Sequence, residues 1–375
     1  MQLSDFPVTH VAKSRLAEVD FAQLGFGAVL SDHMFSMTYA DGAWRDPEII
    51  PYQALSIEPG VAMLHYGQTV FEGFKAFWGV DGRIRVFRPD MNLRRLGQSC
   101  ARLCIPTPEQ ETFQALLLRA TRELLELDQA WIPRGAGQSL YIRPLVIGTE
   151  VTLEVRAANS YRLLIMTAPV GAYFKDSQAG IALKVERHYT RAAPQGGLGS
   201  SKTAANYAAS LLPAHQSQQE GFNQVLWLDG RDHRFVEEVG AMNIFFRIGE
   251  KVVTPPLGPS ILPGVVRDSV LTLLADWGIP VEERPISIDE VADGLRGGTL
   301  EEIFGAGTAA VICPVARIGY GGESLAVPDP VPGSLTGRLY DEITGIQYGR
   351  LPDKHGWNLI IQPGEATGRA RSSAG

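Results

Sequence analysis

The sequence predicts a mixed α/β protein of two domains with a functional site in the crevice between them. Short β-rich runs alternate with helical periodicities along most of the chain, and a polar, glycine-bounded stretch divides it. A length of 375 residues suits two or three domains at roughly 150 residues each. In the first part, a strand is expected over 83–87, followed by Asp90 as helix N-cap. Leu96, Cys100, Leu103 and Cys104 then recur at helical spacing. A second helix is expected from Glu109 to about Leu127, and β-rich runs over 139–147 and 161–167. GAYFKDSQAG, at 171–180, is polar and glycine-bounded, as a connection between domains should be. Beyond it, β-rich runs at 223–228, 243–247, 302–304 and 309–315 alternate with helical ones. The clearest helix is 266–277, with Val266, Val270, Leu273, Leu274 and Trp277 on one face and Gly278 as its stop. The expected division is therefore a small α/β domain over 1–170, a connecting loop over 171–180, and a larger α/β domain over 181–375. The final twelve residues, GEATGRARSSAG, read as a frayed tail.

Composition narrows the function classes. Hydrophobic residues at 45% and charged residues at 20% describe a globular chain rather than a disordered one. A net charge of -7 gives no general attraction to nucleic acid or to an anionic membrane surface. Nothing approaches the ~18 unbroken apolar residues of a spanning helix, and the first residues lack the basic and apolar regions of a secretory signal. Cys100, Cys104 and Cys313 make neither an even disulfide framework nor a zinc-ligand spacing. They are expected to be buried thiols in a reducing, cytoplasmic protein, Cys100 and Cys104 together on the apolar side of one helix.

Two glycine-rich segments raise nucleotide binding and then fail it. Gly196-Gly197-Leu198-Gly199-Ser200-Ser201-Lys202-Thr203 has Ser201 where a phosphate-binding P-loop needs glycine before the lysine. Gly305-Ala306-Gly307-Thr308-Ala309-Ala310 runs into β-rich sequence and not into the helix whose dipole a pyrophosphate uses. Lys202 instead sits between a glycine-rich turn and the helix-like 206–211. That is a place to hold an amine at a fixed point for covalent cofactor chemistry.

Seven motifs then occur in one order: Phe71-Glu72-Gly73-Phe74-Lys75-Ala76-Phe77, Tyr141-Ile142-Arg143-Pro144, Gly171-Ala172-Tyr173-Phe174, Lys202 with Asn206-Tyr207-Ala208, Glu238-Val239-Gly240-Ala241-Met242-Asn243, Ile261-Leu262-Pro263-Gly264-Val265-Val266-Arg267 and Gly307-Thr308-Ala309. In these the chain resembles the branched-chain amino-acid aminotransferases, fold-type IV enzymes that use pyridoxal 5'-phosphate. The resemblance runs from about Phe26 to Val315.

The resemblance implies a ping-pong exchange of an amino group between Leu, Ile or Val and 2-oxoglutarate in a homodimer with shared active sites. It implies that Lys202 holds the cofactor covalently and then serves as general base and acid. Tyr207 would hydrogen-bond the cofactor's phenolic oxygen, and Glu238 would keep its pyridine nitrogen protonated. The phosphate would sit on the amides of Val265 and Val266 at a helix N-terminus, with Arg95 from the first domain and Thr308 beside it. Thr308 and Ala309 would also meet the substrate carboxylate. The side-chain pocket would comprise Phe26, Tyr66, Phe71, Tyr141 and Tyr173, with Leu153 and Val155 reaching in from the partner subunit, and Arg143 is the candidate for the distal carboxylate of 2-oxoglutarate. Tyr141 and Arg143, at i and i+2, share a strand face.

The chain also departs from the family. Ala204-Ala205 replaces a Gly-Gly, Ala241 stands where many relatives carry Thr, and Ala310 with Cys313 replaces the redox Cys-x-x-Cys of animal relatives. Ala204, Ala205 and Ala241 leave open a fold-type IV transaminase with a different donor or acceptor. An aminodeoxychorismate-type lyase would keep the lysine without needing a second 2-oxo acid.

Overall fold

A computed structural model describes residues 6–171, 180–329 and 331–364. Tyr173, most of the expected connecting loop and nearly all of the expected tail lie outside these residues. The first part holds strands β1 (His33–Ala40), β2 (Ala43–Pro51), β3 (Thr69–Phe71), β4 (Phe74–Trp78), β5 (Ile84–Phe87), β6 (Ser139–Gly148) and β7 (Tyr161–Val170). Its helices are α1 (Ala62–Tyr66), α2 (Pro89–Arg102) and α3 (Gln110–Leu127). The period-2 pattern of β6 explains its place. Leu140, Ile142 and Val146 enter the core under α2 and α3, while Tyr141 and Arg143 leave on the opposite face. The helices answer with Leu93, Leu96 and Cys100 from α2 and Phe113, Leu117 and Leu124 from α3, all buried. Burying a side chain of that size is worth about 1.5–3 kcal/mol.

Both ends of α2 correct the sequence expectation. Pro89 takes the first helical position, after Arg88 in the left-handed region at φ 47°. Asp90 therefore lies in the first turn and does not cap. Proline wins the place because its fixed φ suits a position whose N–H would have no intrahelical partner. At the other end, Cys104 lies past the helix and is exposed, with φ 56°. Its N–H donates to Ala101 O at 3.2 Å and that of Ile105 to Cys100 O at 2.9 Å. This pairing closes a helix through one left-handed residue, so Cys104 turns away from the core that Cys100 occupies.

The second part holds β8 (Ile181–Val185), β9 (Gln224–Leu228), β10 (Val236–Val239), β11 (Met242–Ile248), β12 (Lys251–Thr254), β13 (Val281–Glu283), β14 (Leu300–Gly307), β15 (Val311–Tyr320) and β16 (Glu323–Ala326). Its helices are α4 (Ala204–Ala209), α5 (Leu211–Gln219), α6 (Val265–Asp276), α7 (Ile288–Arg296) and α8 (Leu335–Gln347). The sheet runs β10-β9-β8-β15-β14-β11-β12-β13, and β10 also pairs with β11, which closes a barrel. Its interior is filled by Leu183, Leu226, Val239, Ile244, Ile303 and Val315 among others. Glycine-rich 305–310 is the tip of the β14–β15 hairpin, Gly307 pairing with Val311 across a three-residue loop. The first sheet is antiparallel in the order β17-β5-β4-β6-β7-β1-β2, with β3 also on β6. Its last member, β17 (Asn358–Ile361), comes from the end of the described chain and pairs with β5. Helices α6 and α8 share a core with Phe77 and Phe87 of the first sheet, which joins the two halves.

Candidate active site

The segment around Lys202 is pinned between the sheets. Phe71 N donates to Lys202 O at 3.0 Å, Lys202 N to Ser99 Oγ at 3.0 Å, and Thr203 Oγ1 to Thr69 O at 2.9 Å. From within, Asn206 Nδ2 donates to the carbonyls of Leu198 and Ser201 at 2.8 and 2.9 Å. Gly199 lets the turn close on its neighbour, since a Cβ there would meet Ser260 O at 2.4 Å. With its backbone fixed, Lys202 sends Nζ into a cleft of about 250 Å³, where it donates to Tyr207 Oη at 2.7 Å.

Most of the expected site residues meet there. Phe26, Phe71, Arg95, Tyr141, Arg143, Lys202, Tyr207, Val265, Val266, Thr308 and Ala309 all line the cleft. Aromatic faces build the first-sheet wall. Phe26 and Tyr141 pack edge to face at 4.9 Å, and the Arg143 guanidinium lies over Phe71 at 4.7 Å and Tyr141 at 5.1 Å. Arg143 also donates to Tyr141 Oη at 3.1 Å. Tyr66, Leu153 and Val155 do not line the cleft of this chain. They are exposed, and the Tyr66 hydroxyl donates to the Leu153 carbonyl.

Glu238 lies behind Tyr207, in a second hollow of about 120 Å³ that shares Tyr207, Ala241, Asn243 and Leu262 with the cleft. Its Oε1 accepts from Leu262 N at 2.7 Å and from Asn243 Nδ2 at 3.3 Å. Arg191 Nε stands 2.9 Å from Oε2 as an ion pair, without hydrogen-bond alignment. Burial still dominates and pushes the carboxyl up to about 7, against the pull of Arg191 and the Leu262 N–H.

Sequence reasoning missed three charged groups. Arg191 braces Glu238 and also donates to Gly199 O at 3.0 Å, tying that carboxylate to the lysine loop. Glu72, fully buried, holds Arg95 through two hydrogen bonds of 2.6 and 2.9 Å. Burial works against the Glu72 carboxylate, but the Arg95 charge and its hydrogen bonds keep it below the usual range. Lys75, also buried, donates to Ala309 O at 2.7 Å. Glu72, in the link between β3 and β4, and Lys75 on β4 sit inside a motif of otherwise apolar character, where the charges are visible but their distant partners are not.

The residues suit a phosphorylated pyridine cofactor. At the start of α6 the first-turn amides have no intrahelical partner. Gly264 keeps that turn open, because a Cβ would meet Asn243 Oδ1 at 2.0 Å. Arg95 Nη1, bound to Pro263 O at 2.8 Å, brings a fixed cation beside it. A buried carboxyl at one end and an anion cradle at the other match a ring bearing both a basic nitrogen and a phosphate.

The sequence pattern of the family described as amino-transferase class IV matches residues 69–318. The chain belongs to this family. It is 49% identical over 340 residues to branched-chain-amino-acid aminotransferase 2 of Bacillus subtilis, covering 90% of this chain and 92% of that one. The Escherichia coli branched-chain amino acid aminotransferase superposes with a TM-score of 0.70 at 25% identity, over 89% of this chain and 99% of that one. The corresponding Thermobaculum terrenum enzyme, solved in its PLP form, shares the fold at a TM-score of 0.67 and 23% identity, over 87% of this chain and 97% of that one. Class IV aminotransferases work with pyridoxal 5'-phosphate. Among the departures, Ala205 is exposed and neither it nor Ala204 lines the cleft, whereas Ala241 does.

Proposed function

We propose that this chain is a branched-chain amino-acid aminotransferase, moving an amino group between Leu, Ile or Val and 2-oxoglutarate by a ping-pong reaction. One observation carries the proposal: an amine pinned through its own backbone, Lys202, opens onto a cleft walled by Phe26, Phe71 and Tyr141. When bound, pyridoxal phosphate supplies an electron sink for the carbanion left as the substrate Cα loses its proton.

The chain's own residues do the rest. Lys202 Nζ would move the proton between the substrate Cα and the cofactor's C4′, a transfer its fixed backbone keeps within reach. Tyr207 Oη, already at Lys202 Nζ, orients that amine and donates to the cofactor's phenolic oxygen. Glu238 holds a proton on the ring nitrogen, and Arg191 keeps Glu238 aimed. Val265, Val266, Thr308 and Arg95 hold phosphate, while Thr308 and Ala309 receive the substrate carboxylate. Apolar faces accept the branched side chain, and Arg143 takes the distal carboxylate of 2-oxoglutarate.

We further infer a homodimer. Tyr66, Leu153 and Val155 are exposed apolar groups outside the cleft, suited to closing a partner's pocket. Two units over 1–170 and 181–375, with 358–361 returned to the first sheet, frame the site. Among the described residues no helix is long and apolar enough to cross a membrane. Three free thiols, with Cys100 and Cys313 pushed up to about 12 by burial, accord with a reducing cytoplasm.

Ala241 in the cleft favours a second reading, a fold-type IV transaminase with another donor or acceptor. A panel of amino donors against 2-oxoglutarate separates the two. Leu and Ile should exceed Ala in kcat/KM by at least about a hundredfold, since one buried methylene discriminates by roughly 1–3 kcal/mol. Ala reacting as well as Leu would remove the chain from the branched-chain group. Turnover without any 2-oxo acid would make it a lyase.

A further inference from the structure

Two acids stand side by side on β10, and the reaction above uses one of them. Glu237 is buried like its neighbour Glu238. Adjacent residues of a regular strand point to opposite faces, but β10 is not regular here. Val236 pairs with Leu228 of β9 and Glu238 with the very next residue, Trp227, so Glu237 is the extra residue of a β-bulge. A bulge re-aims the side chains beside it, and this one brings both acids toward Arg191. Glu238 forms the ion pair with Arg191. Glu237 Oε1 accepts from the hydroxyl of Ser260, whose carbonyl accepts from the same guanidinium. Glu237 Oε2 is buried with no hydrogen-bond partner among the described residues.

The charges around this pair can be followed one by one. Arg191 acts on both acids. Asp229, in the turn between β9 and β10, faces Glu237 but is engaged by four backbone N–H groups of its own turn. Lys202 faces Glu238 across the hollow and is committed to the cofactor when it binds. One cation is left for two buried carboxylates. Two such acids do not both ionise readily without a further cation, and burial raises the Glu237 carboxyl as it does that of Glu238. A protonated ring nitrogen at Glu238 is that cation. With it the site holds two positive charges against two negative ones, and with a neutral nitrogen one against two.

We propose that Glu237 is a positioning residue for the proton on the cofactor's ring nitrogen, a second counter-charge that acts through Arg191 and Glu238. Aimed by Ser260, it leaves the site balanced only when that nitrogen is protonated. The inference rests on the reading that Glu238 faces the ring nitrogen. It gives the bulge a purpose, since a regular strand would turn Glu237 away.

The test uses the full-length enzyme loaded with pyridoxal 5'-phosphate that is isotope-labelled at the ring nitrogen. Nitrogen NMR across a pH series then reports directly whether that atom carries a proton. Glu237→Gln keeps an acceptor for Ser260 and removes only the charge. In this variant the ring nitrogen should lose its proton at least about one pH unit lower than in the unaltered enzyme, a tenfold fall in proton affinity. An unchanged ring titration, or one moved to higher pH, overturns the proposal, because a residue that merely holds Ser260 would leave the nitrogen as it was. If Glu237→Gln does not fold with cofactor, Glu237→Met is read by the same criteria. Failure of both would make Glu237 a structural group and equally overturn it. A nitrogen already unprotonated at neutral pH in the unaltered enzyme would strike the placement of Glu238 and this proposal with it. An unmoved titration in the variant strikes Glu237 alone.

Discussion

The second-sheet side of the cleft is held by hydrogen bonds and ion pairs: Lys202 to Tyr207, Glu238 to Leu262, Asn243 and Arg191, and Arg191 on to Gly199. The first-sheet side is held by ring faces, with Phe26 on Tyr141 and Arg143 over Phe71 and Tyr141. There Arg143 Nε is buried without a hydrogen-bond partner among the described residues. The difference follows what each side must do. In the reading proposed above the second-sheet side moves the proton, and proton transfer fails when donor and acceptor drift, so its groups are over-determined. A pocket that takes both an apolar side chain and the carboxylate of 2-oxoglutarate needs faces that tolerate either.

The contrast breaks first at Lys202. Lys202→Ala should lower turnover by about a thousandfold or more, the scale of general acid–base catalysis, with borohydride labelling of the cofactor lost from that peptide. A label found on Lys184 or Lys251 in the unaltered enzyme would move the chemistry elsewhere. Glu238→Gln comes next. Each unit by which the pairing with the ring nitrogen weakens is about 1.4 kcal/mol, or tenfold. A loss of two units sets a fall of about a hundredfold, with cofactor retained because the phosphate cradle is untouched. Near-normal turnover in a fully loaded variant would show that Glu238 does not face that nitrogen.

On the other wall, Arg143→Ala should slow the 2-oxoglutarate half-reaction by about thirtyfold, the worth of a charged hydrogen bond, and the Leu half-reaction far less. Single-turnover measurements read the halves separately, and equal losses would make Arg143 structural. The smallest effect is on stability. The pKa of Lys75 is depressed in the folded state, so its ammonium costs stability below about 8. The cost fades as pH rises toward the unfolded value of 10.5. Lys75→Met should therefore be more stable at pH 7 by about 1–2 kcal/mol after the lost hydrogen bond is offset. The excess should shrink at higher pH, as urea midpoints of the loaded enzyme would record. A variant less stable at both pH values would mean that the hydrogen bond to Ala309 outweighs the buried charge.

Legibility in the sequence followed the same division. Lys202, Tyr207, Glu238 and the 264–266 turn lie in contiguous motifs, and the structure brings Lys202, Tyr207 and the turn to the cleft and Glu238 to the adjoining hollow. Arg191, Glu72 and Lys75 act through partners far along the chain, as Lys75 does with Ala309, and no local pattern announces such a pair. Strands and long helices were readable from their periods. The misplaced cap at Asp90 and the outward turn of Cys104 were not. In each a backbone preference, proline at the first helical position and a left-handed closing residue, overrode the side-chain pattern.

The pairing of β17 with β5 also bears on how the molecule is made. The edge of the first sheet stays open until residues 358–361 leave the ribosome, after the barrel's strands have all been synthesised. A nascent chain thus carries an unpaired edge strand through most of translation, the kind of surface that recruits other strands. Shortening the chain ahead of Asn358 should impair folding of the amino-terminal half and leave the barrel's own pairings intact. A far-terminal lesion would then be felt beside Arg95 and Lys75, at the opposite end of the polypeptide.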